Sequence, residues 1–393
     1  MTADMSVAIG GLQLRGPVMA ASGTFGYGTE VPLLERRALA AMVSKGIFLR
    51  PREGTAPPRI VETPGGMLNA IGLQGPGVEA LIRDYAPRWA EWDFPVLVNI
   101  NGESASEYGE LAARLDGVPG VAGFEINISC PNVEQGGLYF GNDPHAAAAV
   151  TEAVRKRTKL PVWVKLTPMV SDIGIIARAV ESAGADALCA INTFVGMSID
   201  LNAYRPRLSF RTGGLSGPAI RPLAVNLAHQ AARAVQIPVI GVGGITRSED
   251  ALEFLVAGCA AVQVGTATFV NPKAIADVHD GIAAFLYRAL ESACHPSADI
   301  PGVARPGEHV PRDSLRRRDR ARAGRAGRPF RAGIHLDRDL HAVVGAHRRR
   351  LHRRQADVTE PRRLSLGAGD EPAAPRVLAA ASRAVIPFHD QSK

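Results

Sequence analysis

The residues best suited to chemistry sit in one hexapeptide, Asn127-Ile128-Ser129-Cys130-Pro131-Asn132. A thiol takes or gives a proton when its pKa is tuned. An Asn amide both donates and accepts, so a pair of them can read the edge of a planar polar ligand. The apolar run Gly123-Phe124-Glu125-Ile126 ahead of it reads as a buried strand. Pro131 turns the chain, and Gly136-Gly137-Leu138-Tyr139-Phe140-Gly141 reads as a Gly-rich loop. The hexapeptide is therefore carried at a strand's exit. The other cysteines, Cys189, Cys259 and Cys294, form no C-x-x-C pair with it or each other, and no zinc, iron–sulfur or other metal site is expected. Cys189 falls in the core-strand run Ala187–Ile191 and Cys259 in a helix-to-strand turn, both as small hydrophobes.

The hexapeptide has a regular setting. Short β-branched runs recur at Val18–Ala21, Ala41–Ser44, Val96–Ile100, Phe124–Ile128, Val162–Leu166, Ala187–Ile191, Val239–Val242 and Ala261–Val264. Amphipathic stretches fall between them, at Gly77–Trp92, Ala105–Leu115, Pro144–Thr158, Asp172–Ala183, Ala219–Val235 and Ser248–Ala257. Eight strand–helix units predict an α/β fold, a (β/α)8 TIM barrel, with an open doubly wound sheet as the alternative. In a barrel the chemistry belongs at the C-terminal ends of the strands. Polar or small groups fall there: Ser22, Lys45-Gly46, Asn99 and Asn101, Asn127 and Cys130, Lys165, Asn192-Thr193, Gly243-Gly244 and Gly265-Thr266. Any one of them alone is an ordinary turn residue. A ligand-grade group at almost every strand end predicts a functional ring.

Val242-Gly243-Gly244-Ile245 and Val264-Gly265-Thr266 end strands 7 and 8, the usual barrel position for a phosphate. Lys165 can set positive charge against an electron-rich ring, and burying it without such a partner is costly. Two long loops complete the set. One carries Asn69-Ala70-Ile71-Gly72-Leu73, the other Gly213-Gly214-Leu215-Ser216-Gly217-Pro218, whose glycines let backbone approach a ligand.

The 393 residues, 46% hydrophobic with 41 Gly, fit a globular α/β protein. No apolar run reaches the roughly 18–20 residues of a membrane span, and the first residues lack a signal-peptide pattern, so a cytoplasmic location is expected. The net charge of +7 is unevenly placed. Residues 296–393 hold 20 Arg and 1 Lys against 11 acids, which leaves residues 1–295 net negative and disfavours nucleic-acid binding by the body.

Residues 5–290 resemble class 1 dihydroorotate dehydrogenases, of the B type. The matching motifs are Ala21 through Gly28, Ser44-Lys45-Gly46, Asn69 through Leu73, Asn127 through Asn132, Ile191-Asn192-Thr193, Gly213 through Pro218, Gly241 through Ile245 and Gly265-Thr266. The resemblance implies FMN held by Ser22, Lys45, Gly46, Asn99, Asn127, Lys165, Ile191, Gly217, Gly243, Gly244, Gly265 and Thr266. It implies dihydroorotate or orotate held by Lys45, Asn69, Ala70, Ile71, Gly72, Leu73, Asn127, Asn132, Asn192 and Thr193, with Cys130 as the base. It also implies an electron-transfer subunit carrying FAD and a 2Fe–2S iron–sulfur cluster that hands electrons to NAD, around a homodimer within a heterotetramer. No membrane and no nucleic acid belong to this picture. Membrane-associated class 2 enzymes carry an N-terminal extension and a Ser base, which Cys130 argues against. The alternatives are a class 1 A-type enzyme using fumarate, a related FMN barrel acting on another dihydropyrimidine, and a basic nucleic-acid-binding protein built on an inactive barrel.

Two features depart from the family. Gly75 stands where its members usually show Asn, and residues 296–393 follow the expected 1–295 catalytic domain as an Arg-rich tail. That tail has runs such as Arg316-Arg317-Arg318 and Arg348-Arg349-Arg350 and too little apolar content to fold alone. Translation of a shifted frame in a GC-rich gene is the expected origin of this composition; a basic arm that binds nucleic acid or an acidic partner is the alternative. Resequencing the gene around codon 295 is expected to reveal the frame change, and an intact frame with no restoring insertion or deletion would count against it.

Overall fold

The computed structural model describes residues 4–30, 38–128 and 137–294. Eight parallel strands close on themselves in sequence order: β1 (Val18–Ala20), β2 (Met42–Val43), β3 (Val96–Ile100), β4 (Gly123–Asn127), β5 (Val162–Leu166), β6 (Ala187–Ala190), β7 (Val239–Val242) and β8 (Ala261–Val264). The register Val262↔Val18 joins the last strand to the first. The open-sheet alternative is thereby excluded. Every residue of β3, β4 and β5 is buried, as expected for strands covered on both faces.

Helix ends follow the local chemistry. Ser104 accepts from the Glu107 amide to start Ala105–Leu115, and Asp143 accepts from the His145 amide ahead of Pro144–Arg155. Asp172 caps Ile173–Ser182 through the Gly174 amide at 2.8 Å. The stretch expected as one helix over 77–92 is instead three pieces. Val78–Ala80 and Ala86–Trp89 are α-helical and flank a π-turn at Leu81–Tyr85. Pro87 has no N–H to continue the α ladder from the preceding turn, which explains the widened turn beside it.

Two features lie outside the eight-unit pattern. A hairpin of Val7–Ile9 and Leu12–Leu14 turns through Gly10 and Gly11, both at positive φ (53° and 87°), as a two-residue turn of this hand requires. Its Ile9 and Leu14 pack with Met19, Leu97, Trp163, Ile240 and Ala261 and plug the lower end of the barrel. Over the other end, parts of the two segments expected as loops pair as strands: residues 213–216 lie within one, whereas of Asn69 through Leu73 only Asn69 does and the rest is loop. Phe194–Met197, Thr212–Ser216, Gly66–Asn69 and Ile60–Thr63 form, in that order, a four-stranded antiparallel sheet. The pairing Gly214↔Asn69 spans far too much sequence for a local pattern to reveal. Gly213 makes it possible, because a Cβ there would lie 2.6 Å from the Asn69 carbonyl oxygen.

The hairpin plug gives the first structural prediction. Leu14→Ala should lower stability by about 2–5 kcal/mol, the cost of a large cavity in a closed core. Urea unfolding monitored by tryptophan fluorescence would test this, and a loss below about 1 kcal/mol would mean that the plug is not part of the cooperative core.

Candidate active site

The barrel interior is built in two layers by the two-residue period of its strands. Leu97, Trp163 and Ala261 belong to the apolar lower cluster. Two residues on along the same strands, Asn99, Lys165 and Gln263 line a cavity at the C-terminal ends. The step from apolar plug to polar floor therefore takes one alternation on each strand.

A buried carboxylate sits at the centre of that floor. Glu125 is fully buried on β4. Its Oε1 accepts from Asn99 Nδ2 at 2.8 Å, and its Oε2 accepts from Gln263 Nε2 at 3.0 Å. Lys165 Nζ lies 3.8 Å from Oε1 and 3.1 Å from Ser22 Oγ. From Asn99 a chain of amides runs up to the cavity. Asn101 Nδ2 donates to Asn99 Oδ1 (3.1 Å), Asn127 Nδ2 to Asn101 Oδ1 (2.8 Å) and Asn192 Nδ2 to Asn127 Oδ1 (3.3 Å). Asn192 Oδ1 accepts in turn from the Thr193 amide at 2.8 Å. An ionised carboxylate only accepts, so every amide in the chain must donate toward it. Burial pushes the Glu125 carboxyl up. The charge of Lys165 and hydrogen bonds from Gln263, Cys189 and Asn99 outweigh this and hold it below the usual carboxylate value.

Close approach by glycine shapes the walls. A Cβ on Gly46 would come within 2.5 Å of Asn101 Nδ2 and 2.8 Å of Asn99 Oδ1, so only glycine lets the β2 exit lie against these amides. Lys45, its neighbour, is held below the ordinary lysine value by burial first and by Arg59 second, with Glu30 opposing. Gly217, Gly243 and Gly244 have φ of 100°, 134° and 73° and face the cavity ahead of the helix Arg221–Ala234. Asp250 anchors this side. It pairs with Arg221 and accepts from Thr246 through the amide (2.9 Å) and the hydroxyl (2.6 Å). The sheet over the barrel forms the roof, where Asn69 Nδ2 donates to the Gly214 carbonyl at 3.2 Å. Ser216 Oγ accepts from Thr266 Oγ1 at 2.8 Å, tying roof to rim.

Residues 4–286 match the family model described as dihydroorotate dehydrogenase. The chain belongs to the dihydroorotate dehydrogenase family. Its relatives include catalytic subunits named dihydroorotate dehydrogenase B (NAD(+)). That of Citrifermentans bemidjiense is 56% identical over 272 residues, covering 69% of this chain and 89% of the relative. That of Desulforamulus reducens is 52% identical over 305 residues, covering 77% of this chain and 99% of the relative. The crystal structure of DHODH from Eimeria tenella in complex with ferulenol shares the fold. It has a TM-score of 0.63 at 22% identity, over 73% of this chain and 85% of that one. As a member of this family the protein is an oxidoreductase acting on dihydroorotate in pyrimidine biosynthesis, and the relatives' names favour the NAD-linked B type over the fumarate-using A type.

One cavity gathers most of the residues expected from the sequence. Ser22, Lys45, Gly46, Asn99, Asn127, Lys165, Ile191, Gly217, Gly243, Gly244, Gly265 and Thr266 line it, as do Asn69, Ile71, Leu73, Asn192 and Thr193. Ala70 and Gly72 are not among the lining residues. Ala70 is buried with Val61, Leu68 and Leu208 under the roof sheet. Gly72 (φ 72°) packs so tightly on Thr55 that a Cβ would come within 2.6 Å of its amide nitrogen. Cys130 and Asn132 lie outside the described residues. Sequence reasoning did not assign Glu125, Gln263 or Ser216 to the site, and it saw Asn101 only as a strand end. A charged residue inside an otherwise apolar strand was the available signal for Glu125. The Cys189 thiol is raised by burial and by Glu125, and Cys259 is pushed up to about 12 by burial, in keeping with small buried hydrophobes.

Asn101 links the carboxylate to the amides near the cavity without lining the cavity itself. Asn101→Ala removes a partner of both Asn127 and Asn99 in a buried setting, at a cost of about 1–3 kcal/mol. A thermal melt should show this loss, and titration with orotate should show weaker binding; unchanged orotate affinity would mean that Asn127 is held without the chain.

Proposed function

We propose that this protein is the FMN-binding catalytic subunit of a B-type dihydroorotate dehydrogenase and converts (S)-dihydroorotate to orotate. The observation that carries the reading is the single cavity. It brings the glycine-lined exits of β7 and β8, Lys165 and the amides of Asn69, Asn127 and Asn192 together at the C-terminal ends of the strands. The residues present fit FMN. Positive-φ glycines beside the start of Arg221–Ala234 suit a phosphate approached by backbone N–H groups. Gln263 Oε1 is buried without a hydrogen-bond partner, so it suits a ring N–H donor. Lys165 supplies positive charge beside an electron-rich ring. Ser22, Gly46, Asn99, Ile191, Gly265 and Thr266 complete the proposed cradle.

The reaction removes a proton from C5 and a hydride from C6 and leaves a C5–C6 double bond. FMN, when bound, supplies the hydride acceptor. Cys130, three residues beyond the end of β4, takes the C5 proton as its thiolate. Lys45 pairs with the substrate carboxylate. Asn69, Asn127, Asn132, Asn192 and Thr193 read the polar edges of the pyrimidine, and Ile71 and Leu73 flank it from the cavity wall. The ordered direction of the amide chain fixes which face of Asn127 and Asn192 donates. Electrons then leave to NAD through a second subunit with FAD and a 2Fe–2S cluster, with two catalytic chains forming a homodimer inside a heterotetramer. The name "catalytic subunit" carried by the relatives supports such a partner. In this reading residues 1–295 hold the whole site and the 296–393 tail takes no part.

Anaerobic addition of dihydroorotate should bleach the flavin of the purified protein. Cys130→Ala should slow bleaching by at least about 100-fold, the lower bound for a general base. A thiol of ordinary pKa, about 8.5, is a few per cent ionised at neutral pH, so the bleaching rate should rise on the alkaline side. A flavin-loaded protein that is not reduced by dihydroorotate would refute the substrate assignment.

A further inference from the structure

The site reading leaves one buried ionisable group without a task. Glu125 does not itself line the cavity, but it contacts three residues that do, Asn99, Lys165 and Gln263, from directly beneath them. An apolar residue or a neutral amide would fill a strand position inside a barrel at lower desolvation cost. The position instead carries a carboxylate whose two oxygens are met by Asn99, Gln263 and Lys165. Lys165 in turn is almost fully buried and has Glu125 Oε1 at 3.8 Å on one side and Ser22 Oγ at 3.1 Å on another.

We infer that Glu125 is the counter-ion that keeps the Lys165 side chain protonated and aimed at the flavin, so that a carboxylate beneath the floor sets the electron affinity of the cofactor above it. This rests on the flavin reading and goes beyond it by assigning a positioning residue. A lysine buried among neutral groups loses its proton far more readily than one in water. Two ionisable groups that interact electrostatically with Lys165 are Glu125 from β4 and Cys189 from β6. The Cys189 thiol is fully buried and held neutral by burial and by Glu125 itself. Lys45 lines the same cavity and is a like charge. Of these, Glu125 is the negative charge that favours a charged Lys165. The donors from Asn99 and Gln263 have a matching purpose: they stabilise the carboxylate as an anion, so it can serve as a fixed negative charge in a dry interior.

The test uses sulfite, which adds reversibly to an electron-poor flavin and needs neither substrate nor Cys130. Sulfite Kd is measured spectroscopically for the wild-type chain and Glu125→Gln from about pH 6 to pH 9, and the ratio of the two is taken, so that the titration of sulfite itself cancels. The inference expects that ratio to climb at least tenfold with pH as Lys165 discharges in the variant. A parallel fall in the two-electron reduction equilibrium of tenfold corresponds to about 30 mV. Glu125→Asp, which keeps the charge, should restore a flat ratio. In the Glu125→Gln/Lys165→Met double variant the ratio should also be flat, because the titrating group is gone. A merely structural role for Glu125 would change flavin content or melting temperature and leave the ratio independent of pH, and that result would overturn the inference. If Glu125→Gln does not fold, the double variant decides: removing both charges should rescue folding, and failure to do so would overturn the pairing. A wild-type chain that binds no flavin would instead sink the flavin reading itself.

Discussion

The buried carboxylate of Glu125 constrains the whole top layer of the barrel. It can only accept, so it orients Asn99 and Gln263, and through Asn99 it orients Asn101, Asn127 and Asn192 in one direction. Amides are otherwise symmetric enough to flip, and a ring of Asn side chains without an anchor would present donors and acceptors interchangeably. A single charge of fixed sign removes that ambiguity over a run of four amides. The same charge compensates Lys165, which would otherwise be a costly cation in a closed interior.

The rest of the architecture serves to keep that layer dry below and accessible above. The N-terminal hairpin plugs the lower end with Ile9 and Leu14, so the polar floor has apolar packing directly beneath it. The antiparallel roof is made from the connections after β2 and β6, and it carries Asn69 and Thr212–Ser216 over the cavity mouth. Glycines sit where backbone must come close to side chains: Gly46 against Asn99 and Asn101, Gly213 against the Asn69 carbonyl. Each of these replaces a side chain with room for a neighbour's polar atom.

The rim at β7 and β8 follows a different logic. There Gly243 and Gly244 at the β7 exit adopt positive φ and lie beside a long helix, and the buried Asp250 holds Arg221 and Thr246 in place behind them. Backbone, rather than charged side chains, faces the cavity on this side. That division suits a ligand with a phosphate at one end and a polarisable ring at the other, with Lys165 placed toward the ring.

Much of this was written into the sequence. The eight β-branched runs and their helices specify strand number and order, because burial on both faces demands continuous apolar segments and the alternating pattern leaves few topologies. The strand-end residues Ser22, Lys45, Asn99, Asn127, Lys165, Asn192, Gly243 and Gly265 could be named from position alone, since a barrel presents that end of every strand to one cavity. Tertiary structure alone decided three things. It paired Gly214 with Asn69, joining the edges of two expected loops into a roof, because strand pairing between distant Gly-rich segments leaves no local signature. It broke the helix before Trp89 at a π-turn. And it placed Glu125, one acidic letter inside an apolar run, within reach of residues from β3, β5 and β8. A sequence shows that a charge is buried, but only the closed barrel shows which neighbours make that burial tolerable.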